Sequence, residues 1–157
     1  MEKNELIKSR FRSRSEHTLD PKGRFNFPRR FKDVLLEYYG SSDLMLTTWG
    51  TCLRAYPATE WQIIEDKLLL KGREEPNLSR FIRHVVSGIT ECSLDKQSRL
   101  LIPASLRSEV GIDKEVTLTG MLEFIEIWDK RAWMTEYDLA RKNLEQYNDS
   151  LAKIGIL

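Results

Sequence analysis

The apolar positions change period along the chain, and each change marks an element. Glu16–Leu19 and Arg24–Phe27 alternate as strands do, with the turn Asp20-Pro21-Lys22-Gly23 between them. Pro21 sets the turn's φ, and Gly23 is free to take a positive one. Phe31, Val34, Leu35 and Tyr38 then recur at helical spacing, with Gly40 as a stop. A hairpin follows, Leu44–Trp49 and Cys52–Tyr56 around Gly50, and then an amphipathic helix marked by Trp61, Ile64 and Leu68. The stretch 72–76 breaks the chain, and Leu78 to Ile89 reads as a short helix ended by Gly88. Strands over 90–94 and 99–102, a helix over 103–110 stopped by Gly111, and a hairpin of 116–119 with 124–128 complete the body. Asp129 is a good N-cap for the last helix. There Trp133, Tyr137, Ala140, Leu144, Tyr147, Leu151 and Ile154 form a heptad seam, which predicts one long helix that either serves between subunits or packs on the protein's own body.

The second series of elements replays the first. Leu19–Lys32, LDPKGRFNFPRRFK, matches Leu94–Arg107, LDKQSRLLIPASLR, at a constant offset of 75 residues. Leu, Asp, Arg and Pro are identical at Leu19/Leu94, Asp20/Asp95, Arg24/Arg99 and Pro28/Pro103, and Lys32/Arg107 keep their charge. Beyond the helix the offset falls to 72, matching Tyr56 with Trp128 and Trp61 with Trp133. A repeat of this length sets the fold. Each half reads as βαββα, too few strands to close alone, so interleaved halves are expected to form a pseudo-two-fold α+β structure that hides its edges. The doubled D-x-x-x-R turn has two readings. The Asp either accepts turn amides and pairs with its own Arg, or shapes the turn while the Arg reaches a ligand.

Charge adds a direction. Residues 1–32 carry ten Lys/Arg against four Asp/Glu, and the remaining 125 carry fifteen against twenty. A basic front on an acidic body fits a local anionic partner. Lys8, Arg10, Arg12 and Arg14 alternate with other residues, so the segment reads either as an extended arm with all four cations on one edge, suited to a phosphate backbone, or as a solvated leader. Cys52 and Cys92 have no metal or disulfide spacing, and His17 and His84 are not paired for zinc, so neither a metal nor a cofactor is expected. The N-terminus has no apolar leader, and no long apolar run occurs, which fits a soluble cytoplasmic protein without a membrane partner. Paired aspartates on a duplicated frame also raise an acid–base enzyme reading. Each Asp, however, has an Arg four residues on, and no catalytic motif supports it, so no catalytic residue is expected.

The segments EHTLDPKGRFNFPRRFKDVL and LDKQSRLLIPASLRSEVGIDKEV, followed by CLRAYPATEW and FIEIWDKRAW, resemble the two halves of the MraZ family over about residues 11 to 135. The resemblance implies an AbrB-like swapped-hairpin β-barrel with peripheral helices and a long C-terminal helix. Its parts would be an N-terminal extension over 1–10, halves over 11–72 and 90–135, a linker helix over 73–89 and a helical extension over 136–157. It implies a cytoplasmic, nucleoid-associated transcriptional regulator acting at the promoter of the division and cell-wall gene cluster. Such proteins assemble into homo-oligomeric rings that bind repeated boxes of double-stranded promoter DNA. Arg24 and Arg99 would then reach bases or phosphates, helped by Lys22 and Arg12, with Asp20, Asp95 and Gly23 shaping the turns. Ser98, standing where Gly23 stands, implies a second turn of different shape. A structural or antitoxin-like ring without DNA readout is the competing reading.

Overall fold

The computed structural model describes residues 9–157. Lys8 and the rest of the predicted extension before Ser9 lie outside the described residues. Strands β1 (Arg14–Thr18) and β2 (Arg24–Asn26) lead into helix α1 (Arg29–Val34), which ends in a π-helical turn at Gly40 with φ 71°. Strands β3 (Asp43–Trp49) and β4 (Cys52–Pro57) form the first hairpin, followed by α2 (Ala58–Leu70) and α3 (Ser79–Ser87). The second half supplies β5 (Thr90–Ser93), β6 (Arg99–Leu101), α4 (Ala104–Glu109), β7 (Glu115–Gly120) and β8 (Ile125–Asp129). Helices α5 (Lys130–Lys142) and α6 (Asn148–Lys153) end the chain.

The strands form a six-stranded antiparallel sheet, ordered β1-β7-β8-β4-β3-β5, and a separate two-stranded ribbon, β2-β6. Two corrections to the sequence reading follow. Each half is ββαββα rather than βαββα, because the two arms of the D-x-x-x-R turn belong to different sheets. The sheet is also not a closed barrel. Just before the turn Leu19 donates its N–H to Lys114 O (2.7 Å), and beyond it β2 pairs with β6, so β1 and β2 part instead of continuing one ladder.

The interleaving is real. β1 pairs with β7 and β5 with β3, so the first strand of each half adds to the hairpin of the other. β4 meets β8 at the centre, where Arg54 faces Glu126, a pair related by the 72-residue offset. Phe25 opposite Leu100 marks the same pseudo-two-fold in the ribbon. Alternation along the strands produces two apolar layers. Phe25, Phe31, Leu35, Leu46, Leu53, Leu100, Ile102, Leu118 and Ile127 belong to the main core. Tyr56, Trp61 and Val85, with Trp49, Phe81 and Phe124 against them, form a smaller cluster that includes residues of α2 and α3.

The C-terminal seam is not one helix. The chain leaves helical geometry at Asn143 (φ −116°, ψ 28°), passes through a 3-10 turn over Leu144–Tyr147, and resumes as α6. Asn143 turns its side-chain amide back to Leu139 O (3.1 Å), which competes with continuation of the helix. Leu144, Tyr147 and Ile154 are 64%, 42% and 70% exposed, so the seam past Asn143 does not pack on the chain's own body, although Trp133 at its start packs on Trp128.

Leu100 is fully buried on the ribbon's pseudo-axis, where Phe25 and the six-stranded sheet surround it. Leu100→Ala is expected to lower unfolding stability by about 3 kcal/mol. The check is a urea titration, with the midpoint falling and the slope unchanged.

Candidate nucleic-acid interface

The two D-x-x-x-R turns are built alike, atom for atom. Asp20 Oδ1 accepts the backbone N–H of Lys22 and of Arg24 (2.9 Å each), and Oδ2 accepts Arg24 Nε (2.7 Å). Asp95 Oδ1 accepts the N–H of Gln97 and Arg99 (2.9 Å each), and Oδ2 accepts Arg99 Nε (2.9 Å). The backbone closes each turn, with Gly23 donating to Asp20 O and Ser98 to Asp95 O (2.9 Å each). The expected difference between the turns is absent. Ser98 takes φ 61° where Gly23 takes 90°, and the left-handed strain is accepted because Ser98 is bonded on both sides. Its N–H closes the turn, and its carbonyl accepts Phe27 N–H (3.0 Å) from the other half. Gly23 O accepts Ile102 N–H (3.0 Å) in mirror fashion.

Both aspartate pKa values are held below the ordinary 3.8, first by the backbone N–H of the arginine and then by its side chain. Carboxylates fixed in the ionised form by separate amide sets are not arranged to share a proton, which removes the geometric basis for the paired-acid enzyme reading. The Asp–Arg pairs are partly exposed, at 29%/28% and 28%/36% for the side chains, so each adds little to stability. Their effect is orientation. The carboxylate bonds Nε, which leaves the terminal nitrogens of each guanidinium outside that bond.

The ribbon decides where the arginines point. Phe25 and Leu100 face the core, so the alternate positions Arg24, Asn26, Arg99 and Leu101 lie on its outer face. Arg24 is opposite Leu101 and Arg99 opposite Asn26, so the two arginines sit diagonally across the pseudo-axis on adjacent strands. Lys22 is exposed in the first turn, and Lys96 is exposed in the second. Arg12 is not part of this group: it precedes β1 and lies at the end of that strand away from the Asp20 turn.

The predicted cationic edge is also broken up. Ser13 has φ 75°, which interrupts the alternation of an extended arm. Arg10 turns to Glu123 (3.4 Å), and the Arg14 guanidinium lies over the Tyr137 ring (4.8 Å). A further pair was not assigned from sequence. Lys32 Nζ donates to Ser98 Oγ, and the Arg107 guanidinium packs on Gly23 while its Nε donates to Ile102 O (3.0 Å). Each half thus clasps the other half's turn with a cation, and the charge kept at Lys32/Arg107 was the available signal.

The MraZ family model, described as "MraZ protein, putative antitoxin-like", matches residues 11–83 and again 85–153. The chain belongs to the MraZ family. The second match continues through α5 and α6, past the stretch on which the resemblance rests. Relatives of this chain include proteins named transcriptional regulator MraZ from three bacteria. The Desulforapulum autotrophicum protein is 40% identical over 93% of this chain and 99% of its own length. That of Syntrophobacter fumaroxidans is 37% identical over 93% and 97%. That of Clostridium beijerinckii is 36% identical over 90% and 96%. Among the described residues no helix is long and apolar enough to cross a membrane, and no cluster of ligating side chains could hold a metal.

The lowered aspartate pKa values set a direction with pH. A group depressed in the folded state stabilises it above its unfolded pKa, and that contribution is lost as pH falls through the folded value. Urea titrations of the Asp20→Asn/Asp95→Asn variant should therefore lose less stability than wild type on acidification below the ordinary 3.8. Identical acid slopes would show that the turn carboxylates do not carry the linkage.

Proposed function

We propose that this protein is a sequence-specific, DNA-binding transcriptional regulator that reads duplex DNA with the outer face of the β2–β6 ribbon. The observation that carries the reading is a pair of arginines, Arg24 and Arg99, oriented by identical carboxylate turns on one exposed two-stranded ribbon. A ribbon of this width enters the B-DNA major groove, and arginine bridges guanine O6 and N7 with two donors. Lys22 adds a phosphate contact beside the first turn, and Arg12 adds one from the far end of β1. The relatives' names support the regulatory role.

The finer reading is an assembly. One protomer offers few cations, and affinity follows the number of phosphates neutralised. A homo-oligomeric ring engages several promoter boxes together, so modest single-site affinities multiply. The exposed apolar residues Leu144, Tyr147 and Ile154 support self-association. The target on this reading is the promoter of the division and cell-wall gene cluster, with the protein cytoplasmic and nucleoid-associated. The antitoxin-like description of the family keeps one competing reading, an oligomer without DNA readout.

Arg24→Ala is expected to weaken promoter binding by about 1–3 kcal/mol per engaged protomer, to flatten discrimination against a scrambled duplex, and to leave the oligomer intact. A gel shift at fixed salt, with native mass spectrometry alongside, makes the measurement. Unchanged affinity and discrimination would reject the ribbon as the reader, and an intact oligomer with no affinity for any duplex would favour the competing reading.

A further inference from the structure

The duplicated frame carries a basic site in one half only. Between the start of β1 and the start of α1 lies an open cleft of about 340 Å³, lined by Ser13, Arg14, Ser15, Arg29 and Arg30 among others. The three arginines are exposed, and Arg30 Nη1 donates to Ser13 Oγ, which ties the two walls together. At the 75-residue offset their counterparts are Ile89 for Arg14, Ala104 for Arg29 and Ser105 for Arg30. The fold therefore does not require cations here, because the other half builds the same elements without them.

Arg14 is held in place without losing its donors. Its guanidinium lies over the rings of Tyr137 (4.8 Å) and Trp133 (5.7 Å), a contact with π faces rather than with a carboxylate that would take up its N–H donors. The acidic residue two places on, Glu16, is turned to Lys130 (3.8 Å) at the start of α5. Ser13 Oγ is taken up by Arg12 O and Arg30, and Ser15 Oγ by His17 Nε2 (2.8 Å), so the three guanidiniums around the small open cleft are what match the chemistry of a phosphate group.

We propose that this cleft binds a phosphate of the DNA backbone, at a place separate from the ribbon that reads the bases. The inference rests on the reading of the protein as a DNA binder. Position supports the assignment of that phosphate. Arg29 stands five residues on from Arg24 along extended chain, a reach of at most roughly 17 Å at about 3.3 Å per residue. The major groove is about 12 Å wide, so a contact at that distance from the groove-reading arginine falls on the backbone beyond the groove wall. Such a site adds affinity and sets register without reading sequence.

The test uses the full chain and two labelled duplexes, its own upstream promoter and a scrambled sequence of equal composition. The variant Arg14→Gln/Arg29→Gln/Arg30→Gln is compared with wild type and with the corresponding triple Lys variant. Plots of log affinity against log salt should lose about 1 from their slope in the Gln variant, equally on both duplexes. The Lys variant, which keeps the charge, should restore the slope. An unchanged slope in the Gln variant, or a loss as large in the Lys variant with the circular dichroism of wild type, would overturn the proposal. Arg24→Ala, measured in the same series, separates the two sites. It should remove the preference for the promoter and keep the salt response of the cleft. If Arg24→Ala leaves that preference intact while the Gln variant loses its slope, the ribbon reading fails and the cleft stands.

Discussion

Strand pairing between the repeats is the constraint on which the rest of the molecule depends. Among the described residues, four of the six strand pairings, β1·β7, β2·β6, β3·β5 and β4·β8, join strands from different halves. A half taken alone would leave most of its strand edges without partners, and an unpaired edge is both costly and prone to association. The main core is shared in the same way, with Phe25, Phe31 and Leu46 of one half in the cluster that holds Leu100, Leu118 and Ile127 of the other. The two D-x-x-x-R turns are thereby fixed relative to each other by the whole fold rather than by either loop.

That constraint explains why Ser98 adopts a backbone conformation that favours glycine. A left-handed residue with a Cβ costs roughly 1–2 kcal/mol. The cost is offset by the turn closure at Asp95, the bond from Phe27 N–H to the Ser98 carbonyl, and the Lys32 contact on the Ser98 hydroxyl. Register with the first half is thus imposed on the second turn from outside. The same logic gives the aspartates their role. A carboxylate accepting two turn amides and an arginine Nε holds the guanidinium in one orientation, so less side-chain entropy remains to be lost when it meets a ligand.

Much of this was legible in the chain. The constant offset, the turn chemistry of Pro21 and Gly23, and the glycine stops at Gly40 and Gly111 locate the elements within a residue or two, and both glycines take the expected positive φ. Asp129 caps α5, accepting Arg131 N–H (3.1 Å), as its N-cap chemistry predicts. Sheet membership was not legible, because a short turn says that two strands are near and not that they share a ladder, and β2 leaves β1 for β6. The heptad spacing of the C-terminus also misled. Spacing reports which face is apolar and carries no information on continuity, which Asn143 interrupts through its own side-chain bond. The cationic edge failed at Ser13, whose positive φ nothing in its neighbours announced. At the site, the D-x-x-x-R motif exposed the aspartates and arginines, while the cross-half contacts of Lys32 and Arg107 needed the fold.

The repeats agree where they meet and differ where they part. Around the pseudo-axis the pairs Arg24/Arg99 and Asp20/Asp95 are equivalent in bonding, so a reader built from these alone would present nearly the same face after rotation by half a turn. Away from the axis the symmetry is lost. The positions of Arg14, Arg29 and Arg30 become Ile89, Ala104 and Ser105, and Ile89 packs against the apolar cluster of Tyr56, Trp61 and Val85. On the proposed reading, a duplex lying across the ribbon would meet three arginines on one flank and Ile89, Ala104 and Ser105 at the matching place on the other. Electrostatic energy then differs between the two orientations even when the base contacts are the same. A duplicated protein that faces a directional sequence needs a difference of this kind, and a few substitutions at the rim supply it without disturbing the shared core.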